Sequence, residues 1–152
     1  MSKIFAFFSL VILGAFNLGL SSQPAQADAV YQSFLGVAIN GYDPVAYFTE
    51  GKPQEGDSDH KLDWNGATWH FKSAANKSEF ETSPEKYAPQ FGGYCAWAVS
   101  QGYTATTIPE AWDIVDNKLY LNFSLGVQSN WKKDRDANIV AANKNWPKIR
   151  DK

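Results

Sequence analysis

The stretch LDWNGATWHF, residues 62–71, decides the fold. Asn65-Gly66 is a preferred pair for a two-residue type I′ turn, and the flanking residues are rich in aromatic side chains. Such a turn fixes the strand register, and it pairs Trp64 with Ala67, Leu62 with Trp69, and His60 with Phe71. Because side chains alternate along a strand, the apolar residues share one face, while Asp63, Thr68 and His70 share the other. The stretch therefore predicts an antiparallel hairpin, with Asp63 placed to bond Thr68 or His70.

Helix signals follow this hairpin directly. Ser73 is a good N-cap for a helix that runs to about Glu81, with Phe80 as its inward anchor. Ser83-Pro84 places proline at the first position of another helical turn. Together these signals predict short helices that cover the aromatic face of the hairpin.

Further helix and strand signals follow along the chain. We expect a short helix over Tyr94–Gln101, stopped by Gly102. A second hairpin is predicted over residues 112–123. Residues 127–146 keep helical apolar spacing, and Pro147 is expected to end that helix. The prediction is an α+β fold, in which small antiparallel β-hairpins pack with short helices and a C-terminal helix.

Composition narrows the class of protein. The chain has 152 residues, 44% hydrophobic and 20% charged, with 14 Lys+Arg against 16 Asp+Glu. This near balance, with no basic stripe, argues against a nucleic-acid partner. The sequence shows no internal repeat and no linker, so we expect one domain. A single cysteine excludes an intrachain disulfide and the cysteine pairs of a zinc ribbon.

The first 27 residues read as a targeting segment. Lys3 precedes an apolar run over residues 4–13, a polar break follows, and Ala25-Gln26-Ala27 supplies the small residues of a cleavage site. Ala27-Asp28-Ala29 is a second such site. We therefore expect a signal peptide over 1–27, a single domain over 28–152 that lies in the periplasm or is secreted, and no membrane anchor after cleavage.

Cys95 is the first candidate for chemistry. It follows Gly92-Gly93 and falls at the start of the predicted helix over Tyr94–Gln101, where a thiol can become a reactive thiolate. Free cysteine is also among the most buried residue types, and its apolar neighbours favour packing in the core. Three roles stay open at this point: core residue, metal ligand and nucleophile.

The two histidines offer further metal donors. One cysteine and two histidines could bind copper or zinc. The predicted register places His70 opposite the aromatic face and His60 either on that face or in a loop beside Asp57 and Asp59. The two imidazoles would then point to opposite sides of one ribbon, which disfavours a simple two-histidine site.

Catalytic motifs are missing from the sequence, and aromatic residues are plentiful. The chain has no GxSxG, HExxH, P-loop or GxGxxG pattern, and no carboxylate pair with glycosidase spacing, which favours a non-catalytic protein. Tyrosine and tryptophan combine an apolar body with a polar tip and suit ligand surfaces. The residues we expect at such a surface are Tyr42, Asp43, Tyr47, Tyr94 and Trp97.

Three segments carry a family resemblance: GYDPVAYF at 41–48, the stretch at 64–103, and AWDIVDNKLYLNF at 111–123. Over almost all of the chain after residue 27, the sequence resembles secreted YHS-domain proteins, which are similar to the TRASH-type metal-binding group. The resemblance implies a small α+β module that binds metal through paired cysteines. Here the corresponding stretches, Asp43-Pro44-Val45-Ala46 and 71–76, contain no cysteine, and only Cys95 remains.

Three functional hypotheses follow. The first is an exported, non-catalytic protein that binds a transition metal, copper above all, through Cys95 with help from His70 or His60. The second is a metal-free module that binds a ligand or a protein. The third is a thiol redox or peroxide sensor that uses Cys95 alone. The partner would be a metal ion or a small ligand, and the oligomeric state stays open.

Overall fold

The computed structural model describes residues 29–150; the predicted signal segment lies outside these residues. The helices and strands, in chain order, are α1 Pro44–Thr49, β1 Asp57–Trp64, β2 Ala67–Phe71, α2 Ala74–Thr82, α3 Pro84–Tyr87, α4 Ala96–Ser100, β3 Ile108–Val115, β4 Lys118–Asn122, α5 Leu125–Lys133 and α6 Arg135–Arg150. The strands form two antiparallel pairs, β1 with β2 and β3 with β4. The predicted α+β class is confirmed. Between residues 29 and 150, no helix is long and apolar enough to span a membrane.

The first hairpin has the predicted turn. Asn65 and Gly66 have φ of 51° and 81°, as a type I′ turn requires. Trp64 pairs with Ala67 and Leu62 with Trp69, as expected. The Thr68 hydroxyl donates to the Asp63 carboxyl across the ribbon at 2.6 Å.

The predicted pairing of His60 with Phe71 is wrong. Asp57 pairs with Phe71, because the register shifts between Asp57 and Lys61. Extra residues on one strand of a hairpin are absorbed as a bulge, which a turn alone does not reveal. β1 therefore starts at Asp57, inside a stretch whose polar composition resembles a loop.

The short helices around this hairpin also form as predicted. The Ser73 hydroxyl accepts the Asn76 backbone N–H at 3.1 Å and caps α2. Pro84 begins α3. Phe80 and Tyr87 are buried against the hairpin. Local capping and hydrophobic anchoring agree here, so the sequence-based prediction is confirmed.

A second hairpin and helix have the same plan as the first. An eight-residue strand, a two-residue turn, a five-residue strand and a serine-capped nine-residue helix run from β1 to α2 and again from β3 to α5. The Ser124 hydroxyl caps α5 by accepting the Val127 N–H at 3.2 Å, just as Ser73 caps α2. The second register also shifts, between Ile108 and Trp112. Over these elements, each residue of the first set has its counterpart 51 positions later in the chain.

The loops before the hairpins match as well. Three consecutive residues with positive φ precede a tyrosine and a helix-capping residue in both places; they are Ile39, Asn40 and Gly41 with φ of 40°, 59° and 80°, and Phe91, Gly92 and Gly93 with φ of 56°, 62° and 86°. Residues 39–82 are called the first unit, and residues 91–133 the second unit. The expectation of no internal repeat is therefore wrong for the fold, although few residues are identical between the units.

Each unit contributes to its own buried cluster. The first cluster contains Val45, Tyr47, Trp69, Phe71 and Phe80, with Leu119 and Leu121 added from β4. The second contains Phe91, Ala96, Val99, Tyr120, Trp131 and Ala142. Residues before the first unit link the two, since Val30 is buried and the Tyr31 N–H donates to the Gly92 carbonyl at 2.8 Å.

The predicted C-terminal helix over 127–146 is wrong in two respects. The chain leaves helical geometry at Asp134 (φ −128°, ψ 44°), and α6 continues through Pro147 to Arg150. The break lets α6 fold back on α4, where the Asn145 amide donates to the Val99 and Ser100 carbonyls at 3.1 and 3.0 Å. The Trp146 ring packs near those of Phe91 and Tyr94. This tertiary packing overrides the helix-ending tendency of proline.

Candidate ligand site beside Cys95

Cys95 is the N-cap residue of α4 and is almost completely buried, with 1% of its surface exposed. The predicted helix over Tyr94–Gln101 begins one residue after it, at Ala96. The Cys95 sulfur accepts the Phe123 N–H at 3.3 Å and lies 3.7 Å from the Asn122 side-chain oxygen. Both contacts come from the end of β4 and the residue after it, so the hairpin register of the second unit positions the thiol.

One of these contacts uses the proton of the thiol. The Trp97 N–H donates to the Asn122 side-chain oxygen at 3.3 Å, which places the oxygen, rather than the amide nitrogen, next to Cys95. In the contact with Cys95, the thiol is therefore the donor. An acceptor at this position needs the proton on the sulfur. Metal binding and nucleophilic attack need the thiolate instead. The arrangement thus favours a packed thiol over a reactive one.

Asp43 holds the corresponding place in the first unit. It is fully buried, and one carboxyl oxygen accepts the Val45 N–H at 2.8 Å. The other accepts the Lys72 N–H at 2.9 Å and the Asn76 amide at 2.7 Å. Lys72 is the counterpart of Phe123, so in both units the side chain of the N-cap residue accepts the N–H of the residue that follows the second strand. Unlike Asp43, Cys95 makes no side-chain bond to the N–H groups of its own helix.

The backbone of the two caps matches too. The Asp43 N–H donates to the Gln54 carbonyl at 2.8 Å, and the Cys95 N–H donates to the Ala105 carbonyl at 3.0 Å. Gln54 and Ala105 lie 51 positions apart, as do counterparts in the two hairpins, whereas Asp43 and Cys95 lie 52 positions apart because the second unit is one residue shorter between them. Cys95 therefore occupies the position of a structural capping residue.

An apolar cavity of about 220 Å³ lies beside Cys95. Its lining consists of Cys95, Trp97, Ala98, Tyr103, Ala105, Phe123 and Val127. The aromatic side chains at the mouth of the cavity reach solvent, because Tyr103 is 49% exposed and Phe123 is 52% exposed. Leu125, two residues after Phe123, is 58% exposed. None of the lining side chains carries a charge. The cavity is suited to an uncharged, apolar group.

The predicted metal donors are not brought together. Within residues 29–150, no group of three or more His, Cys, Asp or Glu side chains is arranged to hold a metal ion. His70 lines a separate, more polar cavity of about 380 Å³ together with Ser33, Asn40 and Glu55. His60 is half-buried on β1. The histidines thus belong to the first unit, and Cys95 to the second.

The five residues expected at a binding surface have different environments. Trp97 lines the cavity, whereas Asp43 is fully buried in the first cap. The Tyr47 hydroxyl donates to the Pro109 carbonyl at 3.1 Å, and burial together with the Glu110 carboxylate raises the pKa of Tyr47 above its usual range. The Tyr94 ring packs 5.7 Å from Tyr31 and 5.9 Å from Trp146. The fifth residue is Tyr42, whose hydroxyl donates to a Glu55 carboxyl oxygen at 3.4 Å. Burial and the Glu55 carboxylate raise the pKa of Tyr42.

Sequence reasoning missed most of the cavity. Tyr103, Phe123 and Val127 line it, yet each looks like an ordinary loop or helix residue in the sequence. The signal that finds them is the correspondence of the two hairpins. Once β4 is matched to β2, Phe123 falls on Lys72 and Val127 on Asn76, and both are polar-to-apolar exchanges next to the capping residue.

Comparison with known protein families gives a match that covers most of the first unit and ends at Phe91. The YHS domain family model matches residues 45–91, which run from α1 to the loop before Cys95. No curated protein and no solved structure matches the chain. All lining residues of the cavity beside Cys95 lie in the part of the chain beyond the match. The expected resemblance to YHS domains is confirmed over the matched residues, 45–91.

Proposed function

We propose that this chain is an exported, non-catalytic YHS-domain module that binds an organic ligand or a partner protein without a metal ion. The observation that carries the proposal is the state of Cys95. It is the N-cap residue of α4, and its buried thiol is hydrogen-bonded to the end of β4 beside an apolar cavity. Of the three functional hypotheses, the metal-free binding module needs the fewest changes to this arrangement.

The copper hypothesis needs a larger change. Cys95 would have to lose its proton, give up the contact with Asn122 and recruit donors from elsewhere. Neither His60 nor His70 lines the Cys95 cavity. Soft copper(I) prefers thiolate and thioether ligands, and the cavity lining has one sulfur and otherwise apolar side chains. The family resemblance is the main support for copper.

Burial of the thiol also bears on export and on redox chemistry. A free cysteine in an oxidising compartment is exposed to oxidation and to disulfide exchange, both of which follow the accessibility of the thiolate. At 1% exposure, Cys95 is shielded from both. This supports an exported protein with a stable free thiol and weakens the peroxide-sensor hypothesis. The absence of catalytic motifs from the sequence supports a non-catalytic role.

A copper titration tests the proposal. The protein is expressed with its own residues 1–27 and purified after export. Elemental analysis and an anaerobic copper(I) competition titration then compare it with Cys95→Ser. We expect no stoichiometric metal in either protein, and labelling of Cys95 by a thiol reagent only after unfolding. Stoichiometric copper that disappears in Cys95→Ser would contradict the proposal, and so would fast labelling of the native protein.

A further inference from the structure

The two units show how the Cys95 cavity differs from the cap it replaces. In the first unit, Asn76 donates to Asp43, and Lys72 bonds Glu50 at 2.7 Å, so polar side chains close the space around the cap. The second unit has Cys95, Val127 and Phe123 at the positions of Asp43, Asn76 and Lys72. Tyr103 and Ala105 likewise stand at the positions of Lys52 and Gln54. Every one of these exchanges removes a polar or charged side chain.

The exchanges leave an open volume rather than a tightly packed core. Protein interiors are close-packed, and a cavity removes stabilising contacts from its lining. The apolar side chains of the second unit nevertheless line a cavity of about 220 Å³ that opens to solvent between Tyr103 and Phe123. An apolar cavity of about 150 Å³ is large enough to stay dry and bind benzene. The Cys95 cavity therefore has room for one ring with a small substituent, or for two fused rings.

The lining determines the chemistry of the occupant. The Cys95 thiol is bonded to Asn122 and Phe123, so it offers the occupant no free polar group. A charged ligand would lose its hydration without gaining a partner. Trp97, Tyr103 and Phe123 present aromatic rings, and aromatic groups gain from edge and offset contacts with one another beyond the area they bury.

We propose that the cavity lined by Cys95, Trp97, Tyr103, Phe123 and Val127 binds a small, uncharged aromatic compound of one or two rings. This inference rests on the proposed function, since it gives the metal-free module its ligand class. The ligand enters between the exposed side chains of Tyr103 and Phe123. Cys95 and Ala98, which are almost completely buried, form the inner end of the cavity.

A titration with simple hydrocarbons tests the ligand class. Toluene is added to the exported protein labelled with ¹⁵N, and the shifts of the Trp97 indole and the Ala98 and Ala105 amides are followed. We expect saturable shifts confined to the cavity, with a Kd on the order of 1 mM or tighter, as a seven-atom apolar ligand allows. Naphthalene should bind as well. Methylcyclohexane, which lacks an aromatic ring, and benzoate, which is charged, should each bind at least about tenfold more weakly than toluene.

A pair of Val→Phe variants locates the site. Val127→Phe fills the cavity and should weaken toluene binding by tenfold or more, while Val140→Phe, at a position 70% exposed on α6, should leave it unchanged. If Val127→Phe fails to fold, Val127→Leu serves as the second filling variant. Absence of saturable shifts would overturn the inference, as would equal binding of methylcyclohexane or benzoate, or toluene binding that survives filling. The copper titration tests the proposed function separately. A protein that binds neither copper nor toluene would contradict this inference and leave the proposed function standing.

Discussion

The two units of this protein share a backbone and differ in what surrounds the helix cap. In the first unit, the buried Asp43 carboxyl collects backbone and side-chain donors, and polar neighbours close the space. In the second, the N-cap residue is Cys95, whose thiol bonds the Phe123 N–H but no N–H of its own helix, and an apolar cavity opens beside it. The first unit carries the YHS match, and the second carries most of the cavity. The comparison teaches that the same backbone plan can hold a polar, hydrogen-bonded cap in one unit and an apolar cavity in the other.

The comparison predicts that the two caps differ strongly in their contribution to stability. Asp43→Ala leaves the buried N–H groups of Val45 and Lys72 and the Asn76 amide without an acceptor. We expect a loss of about 3–5 kcal/mol in the free energy of unfolding. Urea unfolding measures it.

Cys95→Ser is the matched substitution in the second unit. The hydroxyl can still accept from Phe123 and donate to Asn122, so we expect a loss of about 1 kcal/mol or less. If the two losses were equal, or if Cys95→Ser cost more than Asp43→Ala, the assignment of the polar cap to the first unit would be wrong.

Grafting the first cap onto the second unit sharpens the correspondence. Cys95→Asp places a carboxyl against the Asn122 side-chain oxygen, which is also an acceptor, and we expect a loss of about 2–3 kcal/mol. Adding Val127→Asn supplies the amide that Asn76 gives to Asp43. The pair should recover about 1 kcal/mol relative to additivity, measured as a double-mutant cycle.

Val140→Asn in the Cys95→Asp background is the control for the graft. Val140 is exposed on α6, so its amide should recover nothing. An interaction energy of zero for the Cys95→Asp and Val127→Asn pair would show that Val127 is not the counterpart of Asn76 in space.

Alkaline pH should act on the first unit through Tyr47. Burial and the Glu110 carboxylate raise the pKa of Tyr47 in the folded state above its ordinary value of 10.0. The folded protein then binds more protons than the unfolded chain above pH 10. Stability that is fully present below pH 10 is therefore lost as the pH rises further, by up to about 1.4 kcal/mol per pH unit.

Tyr47→Phe tests this source of the alkaline loss. The variant gives up the bond to the Pro109 carbonyl, which costs about 1 kcal/mol at neutral pH, but its stability should fall less steeply above pH 10. Urea unfolding between pH 8 and pH 11 measures both effects. Tyr103→Phe, at a half-exposed position, should keep the wild-type slope. An unchanged slope in Tyr47→Phe would remove Tyr47 as the cause.

The sequence predicts elements whose determinants are local. Asn65-Gly66 gives the first turn, Ser73 gives the cap of α2, and the second hairpin appears at its expected place. The break at Asp134 depends on α6 packing against α4, which no local pattern reveals. The units share element lengths, loop conformation and serine caps rather than residue identity, so the repeat appears in the structure and not in a comparison of the residues.

The candidate site was predictable only in part. Cys95 and Trp97 were expected to matter from their residue types, and both line the cavity. The rest of the lining comes from a loop, the end of a strand and a helix that meet only in the fold. Whether the thiol is bonded as a cap also depends on Asn122, whose position is set by the register of β4.

A crystal of the exported protein under xenon pressure tests the central claim most directly, because xenon enters dry apolar cavities of this kind. The account predicts one ordered xenon atom beside Cys95 and Trp97, none at the Asp43 cap of the first unit, and no metal density at the Cys95 sulfur. Metal density bonded to that sulfur would contradict the account, and so would a Cys95 cavity that excludes xenon because ordered water fills it.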